Sequence, residues 1–319
     1  MANLIEYKKF SFINIDDPFF DSLKEDYPEF EEWFGRKSVQ GEEAIVQYDE
    51  EGHLQGFLYT KDESQEVDNN ITPVMKPKRR LKVGTFKIDA HNTRLGEKFI
   101  KKIMDRAIYE GFEEAYVTIF PKHNRLIDLL KRYGFKDYGT KQEELVLLKD
   151  FSVCVGNIVY DYPLIQPKHK RKFLLSIYPK FHTPLFSDSI LKNEVRNTED
   201  LVKDVSYSNS IHKVYVCFMP KTATLKKGDL IAIYRTNDGM GPARFRSVVT
   251  SICQVEEVRT KCDFLSIEEY LKYCKYYSIF KEYDLREWYQ NDNLVVIKMT
   301  YNLALAKRIT RGMLLKFRI

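Results

Sequence analysis

Apolar positions along the chain change period several times, and each change marks an element. In residues 17–34, Phe20, Leu23, Tyr27, Phe30 and Phe34 recur at helical spacings interrupted near Pro28, which predicts two short helices. Residues 44–46 and 56–59 are apolar and flank the turn Asp49, Glu50, Glu51, Gly52, a hairpin pattern. Residues 62–80 are polar and turn-rich, a loop, and residues 81–89 alternate as a strand does. Leu95, Phe99, Ile103 and Ala107 recur every four residues, widened by Ile100, Met104 and Ile108, so an amphipathic helix is predicted over 95–109 with its end at Gly111. Residues 115–120 read as a strand stopped by Pro121. Asn124 then caps or opens a helix carrying Leu126, Ile127, Leu129, Leu130 and Tyr133, closed by Gly134, and 143–149 is a further strand.

Periodicity breaks over 151–172, which contains YDYPLIQPKHKRK. The expected organisation is therefore an α/β (α+β) domain at 1–150, a linker at 151–171, and a second domain at 172–319. In that last part strands are predicted over 214–219, 229–234, 245–258 and 294–298. Helices are expected near 188–193, 266–274 and 303–308. A small mainly-β barrel with peripheral helices fits this order, and no internal repeat is present.

Composition narrows the function classes. At roughly 150 residues per domain, 319 residues give two domains, and 44% hydrophobic residues exclude global disorder. No apolar run approaches the ~20 residues of a spanning helix, so no membrane role is expected. The start, MANLIEYKKFSF, has no basic-then-apolar-then-small pattern, so no secretory leader is expected. The cysteines at 154, 217, 253, 262 and 274 are odd in number, widely spaced and without a CxxC, which argues for reduced thiols in a cytoplasmic protein. The histidines form no short ligand pair, so no metal site is expected.

Charge is uneven. Residues 1–150 carry a net −5 and residues 151–319 a net +10, which suggests a polyanionic partner for the second half. Within the first half, 1–70 is −12 and 71–150 is +7, so an anionic ligand would sit more comfortably against the later segment. Two short basic runs, at 76–80 and 168–172, can meet phosphates or remain solvated.

Residues 43–149 resemble the GCN5-related N-acetyltransferase (GNAT) family. The resemblance is carried by LKVGTFKIDAHNTRLGEKFIKKIMDRAIYEGFEEAYVTIF (81–120) and PKHNRLIDLLKRYGFKDYG (121–139), in the order strand, glycine, helix, strand, asparagine, helix, Tyr-Gly-Phe. It implies a fold in which acyl-CoA lies between two splayed strands, its pyrophosphate at the next helix N-terminus, where unpaired N–H groups and a positive dipole end favour anions. Acetyl-CoA is then the expected acyl donor. Ile88, His91, Arg94, Leu95, Gly96, Glu97, Lys98 and Asn124 are the expected contact residues. Gly96 matches the last glycine of the family's phosphate loop, Arg94 replaces the first, and His91 falls on its signature Arg/Gln. Many members carry a tyrosine that protonates the leaving thiolate where this chain has Leu130. No glutamate base stands on strand 81–89, and Asp89 is the nearest acid, so the catalytic groups are not identified. Tyr133 is expected to pack.

Residues 172–319 more loosely resemble ASCH/PUA-like domains, through FHTPLFSDSILKNE (181–194) and LKKGDLIAIYRTNDGMGPARFRSVVTSICQVEEV (225–258). The usual Gly-x-Lys-x-x-Glu signature is unmatched, with Lys192 and Glu194 only near its place. The resemblance implies RNA binding. The expected surface is Lys168, Lys170, Arg171, Lys172, Lys226, Lys227 and Arg235, with Arg244 and Arg246 sharing one face of a strand. Tyr270, Tyr273, Tyr276, Tyr277 and Tyr283 are stacking platforms or packing residues. The expected function is acetyl-CoA-dependent N-acetylation of RNA, an RNA-linked amine or an RNA-associated protein. The alternative is a non-catalytic RNA-binding regulator with a degenerate acyl-CoA domain. The acceptor and any protein partner are not identified by the sequence.

Overall fold

A computed structural model describes residues 5–65, 69–89, 94–189 and 210–316. The chain divides into two compact units, Met1–Val153 and Cys154–Ile319. Among the described residues no helix is long and apolar enough to cross a membrane.

The first unit is built on an eight-stranded sheet. Its strands are β1 (Ile5–Lys9), β2 (Glu43–Tyr48), β3 (Leu54–Asp62), β4 (Ile71–Thr72), β5 (Arg80–Ile88), β6 (Glu114–Ile119), β7 (Lys136–Lys141) and β8 (Glu144–Asp150), ordered β1-β2-β3-β5-β6-β8-β7-β4. Only β5 and β6 run parallel, joined by helix α3 (Leu95–Glu110). Most of the amphipathic stripe read from the sequence is buried, with Leu95, Phe99, Ile100, Ile103, Met104 and Ala107 forming the core side of α3, whereas Ile108 is exposed. Gly111 ends the helix at φ +71°, a left-handed conformation that glycine adopts without steric cost. Helix α4 (Asn124–Arg132) lies against α3.

Two short helices, α1 (Asp21–Asp26) and α2 (Phe30–Val39), occur where Pro28 interrupts the pattern. They build an aromatic cluster in which Phe10 packs edge-on against Phe34 at 4.8 Å and Tyr59 at 5.3 Å. β1 and β7 carry too little apolar alternation to be read from sequence. Their partners β2 and β8 create them.

The second unit holds a five-stranded sheet of β9 (Lys172–Ile177), β10 (His212–Cys217), β11 (Leu230–Arg235), β12 (Val248–Thr260) and β13 (Val295–Thr310), ordered β10-β13-β12-β11-β9. The sheet has two edges, β10 and β9, so the expected barrel does not close among the described residues. Four further expectations are corrected. Residues 303–308 lie within strand β13, held by β12 on both sides: Ile252↔Leu303 and Ser251↔Ala304 at one end, Val249↔Ile309 and Val248↔Thr310 just past the other. Arg244 and Arg246 sit on a short helix (Ala243–Arg246) opened by Pro242, so they do not share a strand face. Residues 158–161 within the expected linker form a helical turn capped by Asn157, and the neighbouring Tyr162 is buried with its hydroxyl donating to the Tyr301 carbonyl at 3.1 Å. The helix expected near 188–193 is a 3-10 turn at Ser187–Ser189, and its remainder lies outside the described residues.

Candidate active-site groove

The parallel ladder between β5 and β6 begins at Arg80↔Glu114 and stops at Val83↔Val117, yet β5 continues to Ile88 and β6 to Ile119. Beyond Val83 the two strands therefore part. β5 stays paired with β3 on its other side, as Tyr59↔Thr85 and Gly56↔Ile88. Strand geometry sends alternate backbone groups to each side, so the half of the 84–88 peptide groups that would have met β6 faces the gap. Gly84 is the bulge at the branch point. The register steps from Tyr59↔Thr85 to Thr60↔Val83, which leaves Gly84 unpaired, and a Cβ there would stand 2.8 Å from the Tyr59 ring.

The gap opens into a groove of about 1800 Å³. Ile88 on β5, Gly96 in the first turn of α3, and Asn124, Leu126 and Leu129 on α4 line one end. Of the residues expected to contact acyl-CoA, the fold thus gathers Ile88, Gly96 and Asn124 at one wall. Asn124 is exposed at the first helical position, with His123 as the cap residue. Leu95, Glu97 and Lys98 are buried in α3. Glu97 is bracketed by Arg94 at 3.2 Å and Arg132 at 3.8 Å. His91 lies outside the described residues.

The glycine at 96 has a packing reason that the sequence does not reveal. A Cβ there would stand 2.7 Å from Leu129 Cδ2, so α3 and α4 meet closely at that point. Leu130 is 0% exposed and does not line the groove, whereas Leu126 and Leu129 do. A tyrosine at 130 would therefore enter the core, which corrects the position expected for a leaving-group acid. Tyr133 is fully buried, as a packing residue should be.

Two carboxylates absent from the sequence reading stand in the groove. Glu63, just beyond β3, accepts from the Tyr116 hydroxyl and pairs with Lys82 at 3.3 Å and Lys61 at 3.6 Å. Glu144, the first residue of β8, accepts from the Tyr27 hydroxyl at 2.6 Å. Burial, reinforced by that carboxylate, raises the Tyr27 pKa well above the ordinary phenol value, so Tyr27 stays protonated and donates. Asp26 beside it is tied to Lys122 and stands 3.4 Å from His123. Tyr27 was legible only as an apolar helix position. Its chemistry depends on Glu144, 117 residues away.

The expected RNA surface is only partly a surface. Arg235 is 1% exposed and 3.4 Å from Asp238, so it cannot reach a phosphate chain. Arg246 is clamped by Asp238, and Arg171 by Asp229 and the Thr224 carbonyl. Arg244 is exposed. The basic loops at 168–172 and 226–227 do meet: Leu230 N–H donates to the Arg171 carbonyl at 3.0 Å, and a Cβ at Gly228 would stand 3.1 Å from the Lys170 ammonium. Lys168, Lys170, Lys172, Lys226 and Lys227 are all exposed around this contact. Of the tyrosines, Tyr270 is buried, whereas Tyr283 is exposed. Lys192 and Glu194 lie outside the described residues.

No protein-family model and no curated protein matches the sequence. Solved structures of similar shape include the PaiA N-acetyltransferase of Thermoplasma acidophilum in complex with coenzyme A, at 12% identity over 46% of this chain and 99% of that one, with a TM-score of 0.32. A GNAT-family acetyltransferase of Staphylococcus aureus aligns at 13% identity over 46% and 99%, with a TM-score of 0.34. Chaetomium thermophilum Naa20 in complex with a bisubstrate analogue aligns at 11% identity over 46% and 86%, with a TM-score of 0.34.

Proposed function

We propose that the first unit is an acetyl-CoA-dependent N-acyltransferase domain. The observation that carries the reading is the fork: two parallel strands whose ladder ends at Val83↔Val117 while both continue. An extended thiol ester chain can take the place of the missing ladder partner and bond to the free edge of β5. Beside the fork, the N-terminus of α3 offers backbone N–H groups and a positive dipole end to phosphates. Gly96 and Asn124 sit at that end of the groove. A strand amide aimed at the thioester carbonyl stabilises charge as it develops on oxygen. Holding amine and thioester together contributes the remaining acceleration through proximity.

The second unit supports an RNA-linked acceptor through one observation, the convergence of five exposed lysines from two separate loops. Lysines neutralise phosphates as point charges and give a salt-dependent, sequence-independent attraction. On this reading the lysine face holds a polyanion while the groove of the first unit acylates an amine.

Isothermal titration calorimetry with acetyl-CoA tests the core of the reading. Saturable heat below millimolar ligand is expected. Absence of heat and of any thermal shift at millimolar acetyl-CoA removes the donor site and the enzyme reading together. Binding without transfer to any amine or RNA favours the non-catalytic alternative.

A further inference from the structure

Resting on the acyltransferase reading, we infer that Glu144 is the proton acceptor for the incoming amine and that Tyr27 is its positioning residue. Glu144 begins β8 where β6 ends: Leu145 pairs with Ile119, so Glu144 stands at the mouth of the fork. It is half-buried and lines the groove. Tyr27, the residue that ends α1, reaches across from the other side with its ring 5.3 Å from that of Phe120. Its hydroxyl donates to Glu144 Oε1, which fixes the carboxylate plane and leaves Oε2 as the acceptor atom.

The other acids of the groove are less suited. Glu63 is held by one tyrosine hydroxyl and two lysines, so its carboxylate is already engaged. Asp26 is tied to Lys122 and Asp89 pairs with Lys87 at 3.8 Å. Glu29 and Glu143 are exposed. A base needs a held carboxylate with an oxygen left to accept a proton in the groove, and Glu144 combines those features.

The step balances without any further reagent. Glu144 takes one N–H proton from the acceptor's ammonium group. The freed lone pair forms the N–C bond to the thioester carbonyl carbon, the C–S bond breaks, and its electron pair leaves on sulfur. The remaining excess N–H proton passes to that thiolate or to water. The thiolate is a tolerable leaving group because a thiol pKa lies near 8.5.

The experiment reads CoA thiol release from acetyl-CoA by the full chain. The acceptors are water, spermidine, and a tripeptide with a free α-amine, across pH 5–9. Glu144→Gln is expected to bind acetyl-CoA as wild type does by calorimetry, yet to lose about a hundredfold in kcat and the acidic limb of the rate profile. Tyr27→Phe is expected to lower kcat by about tenfold while leaving KM for acetyl-CoA unchanged, since the carboxylate loses the hydrogen bond that positions it. Among the charged groups lining the groove are Asp26 on α1, Lys122 after β6, Lys141 at the end of β7 and Glu143 in the β7–β8 turn. Their neutral variants serve as controls for that limb. Wild-type turnover and an unchanged limb in Glu144→Gln overturn the assignment alone. Acetyl-CoA binding with no thiol release to any acceptor also overturns it. Failure of wild type to bind acetyl-CoA overturns the acyltransferase reading itself.

Discussion

At the scale of single residues, the groove turns on which leucine of α4 faces it. Leu129 stands over the first turn of α3, against the position where Gly96 lacks a Cβ. Leu130 points into the core and has no exposure. The two therefore respond oppositely to the same substitution. Leu130→Tyr overpacks a filled site and buries a hydroxyl, at a cost of about 1–3 kcal/mol. It should lower the urea midpoint and leave thiol release per folded molecule unchanged. Leu129→Tyr instead puts a larger ring against Gly96 at the end of the groove proposed for the phosphates, so it should weaken acetyl-CoA binding in calorimetry while leaving the urea midpoint less affected. A faster Leu130→Tyr enzyme would show that α4 turns relative to the core when substrate binds.

At the scale of elements, the helix Pro179–Leu185 is bound to β12 through a buried histidine. His182 is 0% exposed, and its Nε2 pairs with Thr250 Oγ1 at 2.8 Å. A chain of hydroxyls continues through Ser251 and Ser189 to Tyr301. Burial, and then the nearby Arg235 and Arg308, lower the His182 pKa from 6.5 to about 3. The folded state thus keeps His182 neutral while the unfolded chain protonates it below its ordinary pKa. Stability from this group is complete above about pH 6.5 and declines as pH falls toward 3. From pH 7 to pH 5 the loss is about 2 kcal/mol, from one proton taken up on unfolding. Urea denaturation at both pH values checks this: in His182→Gln the pH-dependent difference should shrink by about that amount. An equal difference in both proteins would place the acid sensitivity elsewhere.

At the scale of the whole molecule, opposite net charges divide the labour proposed for the two units. The acylation groove lies in the half carrying −5, and the lysine face in the half carrying +10. Reversing Lys170, Lys226 and Lys227 to Glu in the full chain should weaken retention on RNA. It should also flatten the slope of log affinity against log salt, because fewer counterions are released. Acetyl-CoA calorimetry should be unaffected, because these residues belong to the other unit. Unchanged RNA retention with an unchanged slope would assign the lysines to solubility. The pair Arg244 and Arg246, attractive as a sequence motif, is a poorer test. Arg246 already serves Asp238, so its reversal would disturb the fold around buried Arg235.

The periodic signal of α3, the break at Pro28 and the glycine stops at Gly111 and Gly134 were readable in the sequence, because each depends on neighbours a few residues apart. The alternation of 81–89 and the asparagine opening α4 were readable for the same reason. What makes a groove was not. Strand β6 leaves β5 after Val117 while its pairing with β8 runs on to Ile119, and both pairings join residues far apart in the chain. Tyr27 and Glu144 each look ordinary alone, and only the fold, which brings the end of α1 to the start of β8, makes them a hydrogen-bonded pair. In the second unit, charge could be counted from the sequence but exposure could not. Arg235 and Lys170 carry the same charge, yet burial beside Asp238 removes one from the surface and two meeting loops present the other. Local periodicity specifies elements, whereas long-range pairing and burial decide which polar groups face a ligand.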